Sequence, residues 1–255
     1  MTRAVLLGWG LMALAMVLMW LRQLRTQDAT SVDVAWSLGL GFLSLFYLRF
    51  AGEDRIRAIV VASIATIWAL RLATYLLRDR VFGRTEEDGR YSYLRGYWGK
   101  RAPIGFFFFY QAQALFAVLF SIPIFAAMRG GPITVLESSG LLVWVIAVAG
   151  ESIADRQLAR FRADRNNRGQ VCERGLWKYS RHPNYFFEWL HWWAYVLLGG
   201  GAWLTFVGPV AMLIFLFRLT GIPHTEAQSL RSRGDAYRRY QRTTSIFIPW
   251  FRRPA

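Results

Sequence analysis

Apolar residues occur along this chain in long, nearly continuous runs rather than in the short periodic runs of a soluble domain. Each run is about 20 residues long, which is the length that an α-helix needs to cross the apolar core of a bilayer. Seven such runs cover residues 3–22, 32–50, 58–77, 103–128, 133–155, 184–200 and 202–221. The pattern predicts an all-α, polytopic membrane protein of about seven helices, with residues 1–255 forming a single membrane domain.

Basic residues are distributed unevenly between the loops that join these segments. The stretches that follow the first, third, fifth and seventh segments carry 24 of the 31 lysines and arginines. An excess of basic residues marks cytoplasmic loops, so we predict an outside N-terminus and a cytoplasmic C-terminus, in a bacterial inner membrane. The polar stretches 78–102, 156–183 and 222–255 are then expected to form a cytoplasmic cap.

The net charge of +15 is high enough to suit a nucleic-acid-binding protein, but its placement at segment ends fits contact with lipid headgroups. We therefore expect membrane lipids, and no nucleic acid, among the partners. The chain has one cysteine, Cys172, and three histidines without paired spacing, so neither a disulfide nor a metal site is expected. The first segment lacks a strong basic start and a cleavage pattern, so it is predicted to be a retained helix.

Charged residues inside apolar segments are costly, and they usually mark functional positions. Asp33 lies near the start of the second segment, and Arg71 lies deeper in the third, one helical turn before Tyr75. We predict these three residues as the catalytic group; the family resemblance described below implies that Asp33, in its protonated form, polarises a carbonyl oxygen. Two structural alternatives stay open, namely that Asp33 caps its helix or forms an ion pair with Arg71.

A second set of charged residues lies toward the end of the fifth segment. Glu151, Asp155 and Arg162 are spaced so that they share one stripe of one helix. Carboxylates can accept hydrogen bonds from ribose or amide groups, and the planar guanidinium group suits a phosphate. The alternative is a ladder of ion pairs within this helix, in which Asp155 pairs with Arg156, Arg160 or Arg162 at the membrane edge.

The most informative motif is Arg181-His182-Pro183-Asn184, where a basic loop meets the sixth apolar segment. Proline is favourable in the first turn of a helix, so the motif could simply start the segment, with Ser180 as its cap. An asparagine amide also offers both a donor and an acceptor, which match the carboxamide of a nicotinamide ring. The predicted cofactor-binding set is Asp155, Arg162, Arg168, Arg181, Asn184, Arg218, His224, Tyr237 and Tyr240.

At these residues the chain resembles the steroid 5-alpha-reductase superfamily, and most closely its bacterial membrane branch. The similarity covers most of the sequence and is strongest over residues 175–185, at Glu188-Trp189 and over residues 237–242. It implies a seven-helix membrane fold that binds NADPH from the cytoplasmic side and reduces a carbon–carbon double bond conjugated to a carbonyl. It also implies that Asn184 contacts the nicotinamide and that Asp33 meets the substrate carbonyl. The other cofactor residues that it implies are Asp155, Arg162 and Arg218.

Two departures from this family concern the substrate. The steroid enzymes have a glutamate where this chain has Asp33, and a tyrosine near the position of Trp68. Both differences concern the substrate, and neither concerns the cofactor-binding residues. We therefore expect an NADPH-dependent ene-reductase whose substrate is hydrophobic, either steroid-like or another lipid. The Arg-His-Pro-x-Tyr motif also occurs in isoprenylcysteine and phospholipid methyltransferases, so a membrane methyltransferase that uses S-adenosylmethionine is the alternative. A lipid-binding subunit without enzymatic activity is the third hypothesis.

The C-terminal end combines a predicted helix with an aromatic tail. Residues 223–244 start near the acidic Glu226 and finish with basic residues, as the helix dipole favours. Tyr237 and Tyr240 fall on one face of this helix. The tail from Ile246 to Phe251 resembles a segment that lies in the membrane interface.

Overall fold

The computed structural model describes residues 1–82, 86–219 and 221–254. Within these ranges the regular secondary structure is helical, apart from an isolated bridge between Ser180 and Ser245, so the predicted all-α class is confirmed. Two compact units can be distinguished. The N-terminal unit comprises Met1–Ile133 with Gly199–Val207, and the C-terminal unit comprises Thr134–Leu198 with Gly208–Ala255. A single domain over the whole chain stays a prediction.

The N-terminal unit is built on three long helices and two that follow a polar loop. They are α1 (Thr2–Thr26), α2 (Val32–Tyr47), α3 (Arg55–Leu76), α4 (Gly89–Trp98) and α5 (Ala102–Ala127). Helix α2 packs against α3 and α5, and α1 packs against α5. A β-carbon added to Gly41 would lie 3.2 Å from that of Ala69, so the small residue lets α2 and α3 approach closely. Trp68, Phe106 and Tyr110 are fully buried in this unit.

The C-terminal unit is organised by the side-by-side packing of two of its helices. Its helices are α6 (Val135–Ala163), α7 (Pro183–Leu198), α8 (Val207–Ile214) and α9 (Ile222–Thr243). Helix α6 starts with a capping box, in which Thr134 and Glu137 satisfy each other's backbone N–H groups. Helices α6 and α7 pack side by side. Gly150 permits this approach, because a β-carbon there would lie 2.4 Å from the Phe187 ring.

Six helical stretches of the described chain are long and apolar enough to cross a membrane. They are Thr2–Thr26, Val32–Phe50, Arg55–Val81, Gly89–Ala127, Val135–Ala163 and Trp203–Thr243. These match the predicted segments except the sixth, residues 184–200, which folds as the 16-residue helix α7. That helix is shorter than a bilayer core requires, because Pro183 starts it and the Gly199-Gly200-Gly201 turn follows it. Seven crossings therefore stay a prediction.

The helix predicted over residues 223–244 is observed as α9 with one interruption. Gly234 has φ 50° and ψ −124° inside the helix, a conformation that is strained for residues with a β-carbon. Tyr237 and Tyr240 follow this kink and share a face, with their ring centroids 5.8 Å apart. The kink therefore sets the direction of the segment that carries both tyrosines.

Candidate functional site

The motif around His182 is held by backbone contacts with the C-terminal tail. The Arg181 N–H donates to the Ser245 carbonyl at 2.8 Å, and the Ser180 hydroxyl donates to the Phe247 carbonyl at 2.7 Å. The His182 N–H in turn donates to the Ser180 hydroxyl oxygen at 3.1 Å. Pro183 then begins α7. Ser180 therefore orders the loop before the helix.

Glu226 on α9 gathers the polar side chains of this motif. Its carboxylate lies 3.1 Å from the Arg181 Nε and 3.0 Å from the His182 Nε2. It also accepts a hydrogen bond from the Tyr237 hydroxyl at 2.8 Å and one from the Gln241 amide. Burial lowers the pKa of His182, against the opposing influence of Glu226. A neutral His182 can donate its Nε2 proton to the carboxylate.

Three residues predicted to bind a cofactor are engaged inside this network. Arg181 is buried, and it also donates from its Nη1 to the Gln241 carbonyl at 2.8 Å. Tyr237 is bound to Glu226. Tyr240 is buried, and its hydroxyl donates to the carbonyls of Trp177 and Ser180. These contacts fit residues that fix the loop in place.

Helices α6 and α7 bring Asp155 and Asn184 together. The Asn184 Nδ2 donates to the Asp155 Oδ1 at 3.3 Å, although the two residues are 29 positions apart. Asp155 is buried, and Asn184 is half-buried at the start of α7. Glu151, one helical turn before Asp155, is also buried. Further along α7, Glu188 accepts a hydrogen bond from the Trp192 indole at 3.2 Å.

The remaining predicted cofactor residues have exposed side chains. Arg162 lies near the end of α6, and Arg168 follows it in the next loop. Arg218 lies in the π-helical turn Phe215–Leu219, and His224 lies in the first turn of α9. Within the described ranges, none of these four forms an ion pair. They are accessible basic or polar groups of the C-terminal unit.

Asp33, in the N-terminal unit, has partners that the sequence did not indicate. Its Oδ2 accepts hydrogen bonds from Arg80 and Arg90, each at 2.7 Å, and its Oδ1 accepts one from the Tyr91 hydroxyl at 2.7 Å. Both carboxylate oxygens of Asp33 therefore have partners within the protein, and its contact with a substrate carbonyl stays a prediction. Ser31 holds the N-cap position of α2 without a side-chain cap bond, and Asp33 lies in the first turn, where the helix dipole favours an acidic residue.

The segment before Tyr91 is hydrogen-bonded to the turn before α2. The Asp88 N–H donates to the Thr30 hydroxyl oxygen at 2.9 Å, and the Ala29 N–H donates to the Glu87 carboxylate at 2.9 Å. Burial alone would raise the pKa of Asp88, but its hydrogen bond and ion pair with Arg90 bring the pKa below its ordinary value. A polar cavity of about 140 Å³ lies beside this turn.

Arg71 and Tyr75, the other two predicted catalytic residues, lie together on α3. The guanidinium carbon of Arg71 is 5.7 Å from the Tyr75 ring centroid, in cation–π geometry. Tyr75 also packs against the small core of Val34, Ala73 and Leu76. The predicted proximity of Arg71 and Tyr75 is therefore observed, and their role in catalysis stays a prediction.

Sequence comparison places these features in a wider set of proteins. A protein of Schizosaccharomyces pombe described as uncharacterized is 26% identical over 265 residues, which cover 91% of this chain and 75% of the relative. No solved structure matches the chain. The model of a family described as a protein of unknown function, DUF1295, matches residues 19–244. Because this match includes both polar clusters and most of the apolar segments, the chain belongs to the DUF1295 family of steroid 5-alpha-reductase-like membrane proteins.

Proposed function

We propose that this protein is an NADPH-dependent membrane ene-reductase, which reduces a carbon–carbon double bond conjugated to a carbonyl in a hydrophobic lipid. The observation that carries the proposal is the contact between Asn184 and Asp155 at the start of α7. It joins an amide and a carboxylate from two helices, and the exposed Arg162 and Arg168 follow Asp155 at the end of α6 and in the next loop. Membership in a steroid 5-alpha-reductase-like family supports the same reaction class.

The donor set of the C-terminal unit fits a nicotinamide dinucleotide. The Asn184 amide can pair with the carboxamide of the ring, and the Asp155 carboxylate can accept hydrogen bonds from ribose hydroxyls. Arg162 and Arg168 can supply planar, charged donors for the phosphates. When bound, NADPH supplies the hydride that reduces the double bond. Arg218 and His224 remain further candidates, because both are exposed.

Arg181, Tyr237 and Tyr240 have a different part in this proposal from the one predicted. Each already contacts Glu226 or a backbone carbonyl, so its polar atoms are engaged within the protein. We assign these residues the task of holding the loop before α7 in one conformation. A fixed loop keeps Asn184 oriented before the cofactor arrives, and preorganisation of this kind reduces the cost of binding.

The substrate carbonyl requires a hydrogen-bond donor, and Tyr91 provides one in the N-terminal unit. Asp33 holds the Tyr91 hydroxyl at 2.7 Å, and Arg90 lies against the same carboxylate. A hydroxyl in this position can donate to a carbonyl oxygen and stabilise the negative charge that develops there as a conjugated double bond is reduced. In this proposal Asp33 orients Tyr91, and Arg90, which contacts the same carboxylate, adds a positive charge nearby.

A ligand titration of the purified protein tests the cofactor assignment. In mild detergent, we expect NADPH and NADP to raise the thermal unfolding midpoint in a concentration-dependent way, because a ligand that binds only the folded state stabilises it. S-adenosylmethionine should have little effect. Stabilisation by S-adenosylmethionine alone would favour the methyltransferase, and stabilisation by neither would favour a lipid-binding subunit.

Substitutions in the C-terminal unit locate the cofactor contacts. Asn184→Ala and Arg162→Gln should each weaken NADPH binding roughly 10- to 150-fold, since hydrogen bonds to charged or buried polar groups contribute about 1.5–3 kcal/mol. Arg160→Gln is the matched control, because Arg160 is exposed on the same helix. Binding that is equally weakened in all three variants would indicate a general charge effect and contradict the assignment.

A further inference from the structure

The C-terminal tail presents large apolar side chains outward from an ordered backbone. Ile248, Trp250 and Phe251 are 57%, 67% and 78% exposed, whereas Phe247, directly before Ile248, is buried. Phe247 packs against Phe186 with ring centroids 5.7 Å apart. The tail is therefore anchored through one aromatic residue while its neighbours face outward.

Backbone hydrogen bonds also fix the tail beyond Phe247. The Trp250 N–H donates to the Tyr179 carbonyl at 2.9 Å, and the Arg253 N–H donates to the Thr243 carbonyl at 2.9 Å. Ser180 binds the Phe247 carbonyl, as described above. A fraying terminus would not hold such contacts, so the outward direction of Trp250 and Phe251 is a property of the fold. A contiguous apolar surface of this kind usually marks an interaction site.

The depth of the tail relative to the bilayer follows from the part of α6 beside which the tail lies. The indole of Trp177 donates to the Ala154 carbonyl at 2.9 Å, which fixes the Trp177–Tyr179 turn beside that residue. Ala154 lies where α6 changes from apolar residues to a basic stretch that begins with Arg156. Trp250, bonded to Tyr179, therefore lies near the level at which α6 leaves the apolar layer. Aromatic residues are enriched at that level of membrane proteins.

Basic residues border the aromatic surface. Lys178 precedes Tyr179, and Arg252 and Arg253 follow Phe251. Arg252 is paired with Glu173, whereas Lys178 and Arg253 are exposed. Basic side chains are attracted to the negative surface of an anionic leaflet. An apolar surface with a basic border is complementary to the headgroup region of an anionic bilayer.

We propose that Trp250 and Phe251 insert into the interface of an anionic phospholipid leaflet. The same tail contacts Arg181 and Ser180 through its backbone carbonyls, so the inserted segment is joined directly to the loop before α7. Insertion of the tail is independent of the reaction that the protein performs.

Spin labels test the proposed insertion in the full-length protein. The buried Cys172 is replaced by serine, and a label is attached at Trp250→Cys in vesicles of phosphatidylglycerol and phosphatidylcholine. We expect the label to collide more often with lipid-soluble oxygen than with a water-soluble nickel chelate. Arg238→Cys is the matched control, because Arg238 is an exposed residue of α9, and its label should favour the nickel chelate.

Three results would overturn the proposal. One is a Trp250→Cys label that is as accessible to the nickel chelate as the Arg238→Cys label. Another is dipolar broadening between labels on two protein copies, which would indicate that a second chain covers the surface. The third is oxygen accessibility that is equal in vesicles with and without phosphatidylglycerol and is unchanged by Lys178→Ser with Arg253→Ser, since the basic border would then have no role.

Discussion

At the scale of single residues, two carboxylates determine which polar groups meet. Glu226 contacts Arg181, His182 and Tyr237, and Asp33 contacts two arginines and Tyr91. A carboxylate can accept several hydrogen bonds at once, so one acidic residue can fix a whole cluster. We infer that Glu226 organises the loop before α7 and that Asp33 orients the proposed carbonyl donor.

Tyr91→Phe tests the role of the phenol hydroxyl without removing a charge. Asp33 keeps its ion pairs with Arg80 and Arg90, so the variant should fold and bind NADPH as the wild type does. Turnover of an enone lipid should fall by roughly 10²–10⁴-fold, the range for one group that acts on a proton in catalysis. Tyr93→Phe is the control, since Tyr93 is 71% exposed. Near-normal turnover of Tyr91→Phe would exclude Tyr91 as the carbonyl donor.

His182 makes a predictable contribution to the pH dependence of stability. Its pKa is lowered in the folded protein by burial, whereas an unfolded histidine takes up a proton near pH 6.5. Below about pH 6.5 the unfolded state therefore binds more protons than the folded state, and stability is lost as the pH is lowered, by at most about 1.4 kcal/mol per pH unit. Its contribution is fully present above that pH.

Denaturant unfolding in detergent between pH 7.5 and 5.5 measures this slope. His182→Asn should unfold with a flatter pH dependence than the wild type, because the titrating group is gone. His224→Gln should keep the wild-type slope, since His224 is exposed on the first turn of α9. If His182→Asn and the wild type show the same slope, the contribution assigned to His182 is wrong.

At the scale of elements, the close packing of α6 and α7 places Asp155 beside Asn184. Glycine makes this approach possible at two levels of α6. A β-carbon at Gly140 would lie 2.8 Å from the Ala194 carbonyl oxygen, and one at Gly150 would overlap the Phe187 ring. Backbone atoms cannot move aside as a flexible side chain can, so Gly140 is the more restrictive position.

Gly140→Ala should therefore lower stability by about 1–3 kcal/mol, the usual cost of overpacking a core. Gly10→Ala is the matched control within α1, because nothing lies within 4 Å of a β-carbon added there. That control should be neutral or more stable by about 0.5–1 kcal/mol, since alanine is the better helix former. Equal effects in denaturant unfolding would contradict the close approach of α6 and α7.

At the scale of the whole molecule, the distribution of basic residues and the number of membrane crossings both bear on which side of the membrane each terminus lies. Six spans would leave both termini on the same side of the membrane, whereas seven would place them on opposite sides. The partition of basic residues predicts opposite sides, with the C-terminus in the cytoplasm. The short helix α7 decides between these counts, because it is the predicted segment that falls below the spanning length.

Cysteine labelling in intact bacterial cells tests this orientation. In a Cys172→Ser background, Thr2→Cys should react with a membrane-impermeant maleimide, and Arg253→Cys should react after the cells are opened. Both residues are exposed, so burial does not limit the reaction. Labelling of both positions, or of neither, in intact cells would favour an even number of crossings. Labelling of Arg253→Cys alone would reverse the predicted orientation.

The sequence by itself determined the class of the protein and the place of most helices. Helical hydrogen bonds join residues four positions apart, and the apolar content of a segment is also a local property. The runs of apolar residues therefore predicted the six observed candidate spans, and Pro183 marked the start of α7. The contact of Asn184 with Asp155 is compatible with their expected shared role, although the sequence did not give their distance.

Tertiary structure decided the partners of the charged residues. Asp33 meets Arg80, Arg90 and Tyr91, which lie 47, 57 and 58 positions away. Glu226 contacts His182, which lies 44 positions away. The sequence indicated only that Glu226 is an acidic residue near the start of a helix, whereas the structure shows it at the centre of a polar cluster. No local pattern encodes such distances, because they depend on how helices pack and where connecting turns return the chain. The sequence therefore determined which segments are helical and apolar, and packing determined which charges meet.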